Sequence, residues 1–314
     1  MEPSTYSDLR PFLLCSLINF SVLTGAQMTT SNNCYSVDER DTECSINHIT
    51  DKTAYLEWRI TAIEAKFDQQ CACANGLKPK NCYDIWSQGN SASGIYSIFV
   101  PNCVDTSFGK VCQSGERHIR VHCDMDSEFG GPGWIVLQRR QDGSVNFTRD
   151  WNTYKHGVGD LDGELWLGND HLARITTSEN FQLRIDLGDW EGEYRYAEYS
   201  YIRVLGEEDK YQLLLGDYSG DAGDALADSF NIHHHHNGTY FSTINQDNDR
   251  HPGVHCAHNI NAGFWYNGCG YALLNSPYHV DGSADHWKGI MWYTWHGADY
   301  SMKSTVMKIR PVIN

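Results

Sequence analysis

The chain has 314 residues, 40% of them hydrophobic and 12% aromatic, which is ample for a sizeable core in one or two domains. Its formal net charge of −16 argues against nucleic acid and anionic membrane surfaces as partners, since both recruit clustered Lys and Arg. Twenty-eight Gly against 8 Pro suits a globular domain with many turns.

Residues 11–23 (PFLLCSLINFSVL) form an apolar run of the length of a signal-peptide core, and Thr24-Gly25-Ala26 supplies small residues for cleavage. The expectation is a signal peptide over 1–26 and a secreted, extracellular chain. No later apolar run reaches the length needed to span a bilayer, so no membrane insertion is expected. An oxidising compartment accounts for the 11 Cys, which show no CxxC or metal-like grid. In that setting Asn146 (NFT) and Asn237 (NGT) are glycosylation acceptors.

Residues 27–74 form a Cys-containing segment. Within it Ile46, Ile49, Thr53, Leu56, Ile60, Ile63 and Phe67 alternate three and four apart, a heptad seam over about 46–70. One amphipathic helix packed on its own domain has the same pattern. Three heptads are marginal alone, but Cys71 and Cys73 follow directly and could lock chains together. A disulfide-linked homo-oligomer is the expectation.

A compact domain is expected over 75–314. Cys103 and Cys112 bracket a short loop and are expected to pair, with Cys82–Cys123 closing the outer one. Four cysteines allow three connectivities. Period-two patterns mark strands at Phe181–Leu187, Trp134–Leu137, Tyr211–Leu215 and Met307–Ile313. A helix is expected within Glu164–Thr176, capped near Asn169-Asp170. The Gly-Asp-rich stretch 216–228 reads as turns. The class is α+β, one large domain with long loops.

The stretch 237–275 carries the chemistry. Asp247-Asn248-Asp249 followed by His251-Pro252-Gly253 offers two carboxylates and a tight turn, which suits Ca²⁺. The same residues also make ordinary Asx turns. His258 stands where an EF-hand would need Glu, so this is not such a loop. A Cys256–Cys269 bridge would close a short loop, contributing about 3 kcal/mol at that size, with Phe264, Trp265 and Tyr266 inside it. His233–His236, with His251, His255 and His258 nearby in sequence, allow a transition-metal site, though a solvated loop explains the run more simply. GxSxG, HExxH, GxGxxG and P-loop patterns are missing from the sequence, and no enzyme activity is expected.

Long segments such as PKNCYDIWSQG (79–89), GGPGWIVLQRRQDGSVNFTRDW (130–151), YFSTINQDND (240–249) and GIMWYTWHGADYSMKSTVMKIRP (289–311) resemble the fibrinogen C-terminal domain family. The resemblance implies a fibrinogen C-terminal-like globular domain with a mixed or antiparallel sheet, few short helices and long loops. It implies calcium on Asp247 and Asp249 by side chain and on His251 and Gly253 by carbonyl, and a cis peptide at Gly268–Cys269. One departure is that Val254 and His255 separate that Gly from Cys256, where the family usually has one residue. The acetyl-group pocket of lectin members is altered: Ile260, Gly270, His286, Trp287 and Ala298 replace its residues. The acidic residues with which fibrinogen chains grip a peptide knob are not evident. The ligand region would be rebuilt from Phe264, Trp265, Cys269, Tyr271, Tyr278, His286 and Trp287, although most Trp of the family belong to the core, which is the expectation for Trp265. The leading expectation is a calcium-binding lectin that recognises glycans in innate immunity. The alternative is a protein-binding ligand of the angiopoietin or tenascin kind, in extracellular signalling or matrix adhesion.

Overall fold

The computed structural model describes residues 78–125, 130–227 and 233–313. The expected signal segment and heptad seam, with Cys34, Cys44, Cys71 and Cys73, lie outside these residues. A compact unit begins at Pro79.

In chain order it contains α1 (Cys82–Ser87), β1 (Gly94–Thr106), β2 (Gly109–Asp124), β3 (Trp134–Arg140), α2 (Trp151–His156), β4 (Val158–Gly159), β5 (Leu165–Trp166) and α3 (Asn169–Ser178). Then follow β6 (Phe181–Gly188), β7 (Tyr194–Val204), β8 (Leu213–Leu215), β9 (Tyr218–Gly220), β10 (Phe241–Ser242), α4 (Cys256–Ile260) and β11 (Phe264–Trp265). The last elements are β12 (Ala272–Leu273), β13 (Met291–Trp292), α5 (Tyr293–His296) and β14 (Ser304–Pro311). The main sheet runs β1-β2-β3-β14-β6-β7-β8, antiparallel throughout. This is the mostly-sheet α+β globe implied by the family resemblance.

The two expected disulfides of the first part form. Cys103 and Cys112 face each other across the β1–β2 ladder, and Cys82 ties α1 to Cys123 in β2. The helix starts later than expected, at Asn169, because Leu165–Trp166 pairs with β3 as a strand. Asp170 does not cap it by side chain, since its carboxylate accepts from the Tyr211 hydroxyl. Within 216–227, Asp221 and Asp224 accept bonds from Tyr196 N and Tyr199 Oη, as structural turn residues.

Strand alternation breaks where the sheet buries charge. Lys308 of β14 is 2% exposed, and its Nζ reaches Asp124 at 2.9 Å and Asp186 at 2.7 Å. Arg184 of β6 reaches Asp186 and Glu198, both at 2.6 Å. A row of opposite charges on β2, β14, β6 and β7 thus satisfies groups that could not be buried singly.

A second buried pair fixes the route out of β3. Arg140 and Glu164 are 1% and 0% exposed. Glu164 Oε1 accepts from the backbone N–H of Gln141, Asp142 and Gly143, and Oε2 accepts from Val145 N–H. Arg140 Nη1 donates to the carbonyls of Leu274 and Ser276, which begin the approach to the distal loops. Beneath them Trp166, Phe241 and Trp265 pack with ring centroids 5.3–5.7 Å apart, geometry that favours aromatic pairs.

Asn146 is exposed, so that acceptor is open to a glycan. The Asn237 side chain is occupied: Nδ2 donates to Leu215 O and Oδ1 accepts from Leu215 N–H. The structure therefore speaks against modification of Asn237.

Glu164→Gln would set an amide NH2 against backbone N–H groups now received by one carboxylate oxygen and remove the charge that pairs with Arg140. The expected loss is about 3–5 kcal/mol, read as a lower midpoint in urea unfolding. A loss below about 1 kcal/mol, the size of an ordinary exposed pair, would show that the carboxylate does not order 141–145.

Candidate binding site and calcium loop

The Cys256–Cys269 disulfide forms, spanning 13 positions. Segment 233–234 lies along it: Gly268 N–H donates to His233 O and Tyr271 N–H donates to His234 O. His236 then turns fully inward. Its Nδ1 is 2.5 Å from Trp265 O and its Nε2 accepts from Ala272 N–H at 3.0 Å. One nitrogen must donate and the other accept, so the ring is neutral. Burial pushes this imidazole down to about 4. The His run is therefore not simply a solvated loop. Gly270 follows from the same packing, because a Cβ there would lie 2.2 Å from His236 Cε1 at a φ of +132°.

Above this floor opens a cavity of about 260 Å³ lined by His234, His251, Ile260, Cys269, His286 and Trp287, among others. Trp287 forms its wall. The indole stacks near His234, Tyr271 and Tyr293, with centroids 5.7, 6.2 and 5.5 Å away. Its Nε1 donates to His286 Nε2 at 2.7 Å, and His286 Nδ1 lies 2.6 Å from Asp299 Oδ1. The relay Asp299–His286–Trp287 fixes the indole edge and sets the His286 tautomer. Trp287 N–H also donates to Ala298 O.

Backbone strain gathers here. Five non-glycine residues among those described have positive φ, and three of them, Asn261 (62°), Cys269 (64°) and Trp287 (63°), border this region. Such conformations cost of order 1–3 kcal/mol each and persist where the surroundings impose them, often at binding sites.

The loop 247–253, for which calcium is the expectation, borders the cavity through His251. Asp249 Oδ1 accepts from His251 N–H and Oδ2 accepts from Cys256 N–H, both at 2.8 Å. Asp247 Oδ1 accepts from Asp249 N–H at 3.2 Å. His251 Nδ1 accepts from Gly253 and Val254 N–H, closing a turn that accommodates the extra residue before Cys256. Burial, and after it the Asp247 carboxylate, hold the Asp249 carboxyl above its ordinary value. The Asx turn is formed: Asp247 Oδ1 and Asp249 Oδ1 each accept from a backbone N–H two residues on.

The ligand region differs from the expectation in several ways. Phe264 and Trp265 are fully buried, and Trp265 Nε1 donates to Tyr211 O, so both belong to the core, Trp265 as expected. Ile260 is 1% exposed and contributes only an edge of the cavity. Gly270 is buried under His236, and Ala298 acts through its carbonyl. Tyr278 stands elsewhere, donating to Gln141 O and Lys303 O. The Gly268–Cys269 peptide is trans, since no described residue has a cis bond; the strain is carried by φ at Cys269 instead. The role of His236 was not visible in the sequence, because its partners lie 29 and 36 positions away. The Gly at 270 was the one available signal.

The depressed His236 value carries a sign. Its contribution is complete above pH 6.5, the ordinary histidine value, and is lost as pH falls toward about 4. The full difference is roughly 3 kcal/mol. Melting curves between pH 7 and pH 4 should show a steeper fall for wild type than for His236→Gln. Parallel pH profiles would place the acid sensitivity in other groups.

Calcium should raise the melting temperature by a few degrees, following RT ln(1 + [Ca]/Kd). Asp247→Ala and Asp249→Ala should each remove that response. Identical wild-type melts in millimolar calcium and in chelator would leave Asp247-Asn248-Asp249 as a turn only.

Comparison with known proteins locates this arrangement. Residues 78–312 match the family model for the C-terminal globular domain of fibrinogen beta and gamma chains. Angiopoietin-related protein 7 of Mus musculus is 41% identical over 233 residues, covering 74% of this chain and 63% of that protein, less than two thirds of its length. Fibrinogen-like protein 1 of Homo sapiens is 42% identical over 239 residues, 74% of this chain and 72% of that protein. The fibrinogen-like globe domain of human ANGPTL2 superposes with a TM-score of 0.65 at 36% identity, over 74% of this chain and 99% of that one. Lamprey fibrin D-dimer, complexed with the peptide ligand Gly-His-Arg-Pro-amide, gives a TM-score of 0.64 at 30% identity, over 96% and 94%. With most of its residues matched at this level, the chain belongs to the family of the fibrinogen C-terminal globular domain.

Proposed function

We propose that this chain is a secreted, protein-binding ligand of the angiopoietin-related kind, not a glycan-binding lectin. The observation that carries the reading is the cavity itself. It is small, walled by a fixed indole, and its ionisable lining residues are His234, His251 and His286, with no carboxylate among them. A cavity of about 260 Å³ falls below the usual range for small-molecule pockets, roughly 300–1,000 Å³, and suits a side chain anchored from a partner protein. Indole walls of this kind are common anchors at protein interfaces.

The relatives support the same direction, because angiopoietin-related and fibrinogen-like proteins stand among them. That the lamprey structure holds a peptide shows that this fold can take a polypeptide segment. The acetyl-pocket positions of the lectin reading are filled differently here, with Ile260 and Gly270 buried. In this proposal the calcium loop keeps the neighbouring turn 251–254 in place through His251.

The test is a paired screen of the secreted chain against arrayed extracellular protein domains and against a glycan array, in calcium. The expected result is saturable binding to a protein, weakened at least tenfold by Trp287→Ala, as for a hot-spot residue worth about 2 kcal/mol. Retention on N-acetylglucosamine resin with release by free acetylated sugar would overturn the proposal and restore the lectin reading. Unchanged protein binding by Trp287→Ala would move the interface off this cavity.

A further inference from the structure

The turn between β6 and β7 and the end of α5 bring three potential metal ligands together. Asp189, Glu191 and His296 each offer one donor atom, and these atoms all lie within 4.8 Å of one another. None of them lines the cavity or belongs to the calcium loop.

Each donor is held from outside the cluster. Asp189 is 3% exposed; its Oδ1 accepts from Glu193 N–H at 2.8 Å, leaving Oδ2 directed at His296 Nε2, 3.1 Å away. The His296 ring is packed between Trp295 and Tyr300, with centroids 4.5 and 4.1 Å away. Glu191 Oε2 accepts from Tyr300 Oη, which itself accepts from Trp190 N–H. Trp190 Nε1 donates to Ser301 O, so the same anchor ties the turn to the chain after α5. Outer contacts of this kind orient metal ligands and tune their affinity.

We propose that Asp189, Glu191 and His296 bind a first-row divalent transition cation of the zinc class. Neighbouring ligands on tetrahedral zinc, with bonds of about 2.0–2.1 Å, stand about 3.3 Å apart. The Asp189–His296 pair already has nearly this spacing. Glu191 is exposed and, pivoting on its bond to Tyr300 Oη, closes the remaining gap by a small side-chain movement. One imidazole with two carboxylates favours zinc over calcium, which takes oxygen donors. The alternative is a plain Asp–His ion pair. It accounts for Asp189 and His296, with Glu191 held by Tyr300 Oη; cation binding differs from it in drawing all three donors onto one centre. Three protein ligands leave a fourth position to water, on the solvent side where Glu191 and His296 emerge.

Zinc bound there would cross-link the 189–193 turn to α5. The test uses the whole secreted chain, stripped by chelator and then saturated with calcium. Zinc is titrated by calorimetry, and Co²⁺ by visible absorption, whose intensity reports tetrahedral coordination. Because the 233–236 run can also take zinc, a His233→Ala, His251→Ala variant is titrated in parallel. Wild type and that control should both show the tetrahedral cobalt band and one shared zinc equivalent. His296→Ala should lose that equivalent, and Glu191→Gln should weaken it about tenfold or more. If His296→Ala does not fold, Glu191→Gln, changed at an exposed side chain, decides. Zinc stoichiometry and affinity unchanged in these variants, or a cobalt band lost only in the control, would overturn the proposal.

Discussion

The fold depends on the buried Arg140–Glu164 pair. A charge that far from water costs least when it is paired and hydrogen-bonded, and here Arg140 Nε stands 3.5 Å from Glu164 Oε1 while each member also bonds backbone from a different part of the chain. Glu164 gathers four N–H groups of the 141–145 loop. Arg140 takes carbonyls from 274 and 276. The pair therefore joins the regular sheet to the irregular distal half, where the cavity and the 247–253 loop lie. Around it the aromatic cluster of Trp166, Phe241 and Trp265 supplies apolar burial, while the ion pair fixes which loop approaches which.

In the distal half, covalent and polar constraints take the place of long ladders. β10 and β11 share two residue pairs, as do β12 and β13. Order comes instead from the Cys256–Cys269 bridge, the inward His236 and the Asp249 carboxylate, which receives N–H groups from both His251 and Cys256. These three act on adjacent backbone, so the strain at Cys269 and Trp287 is held by neighbours and not by regular structure. Any group that alters the charge on Asp249 acts on the turn carrying His251, and through it on the cavity.

Much of this was legible in the sequence. The alternation at Phe181–Leu187 became β6, and the close spacing of Cys103 and Cys112 became a cross-strand bridge. The pairing of Cys82 with Cys123 and of Cys256 with Cys269 was likewise legible. What escaped were roles fixed by distant partners. Glu164 was read within a helix, yet it serves a loop some 20 positions earlier. Phe264 was placed in the ligand region because burial in short, irregular strands leaves no periodic trace, whereas the core position expected of Trp265 is found. Asp189 and His296 lie 107 positions apart, and only the packing of the turn against α5 brings them together.

The position of β14 has a consequence for biogenesis. It lies between β3 and β6 in the middle of the main sheet, yet among the described strands it is the last to be synthesised. During translation the β1–β3 half and the β6–β8 half must each wait with an open edge. Unpaired edges of this kind invite association with other chains, and late long-range pairing makes folding slow. The sheet therefore closes only when residues 304–311 are available, whereas Cys82–Cys123 and Cys103–Cys112 lie wholly within the first half and can pair before the two halves are joined.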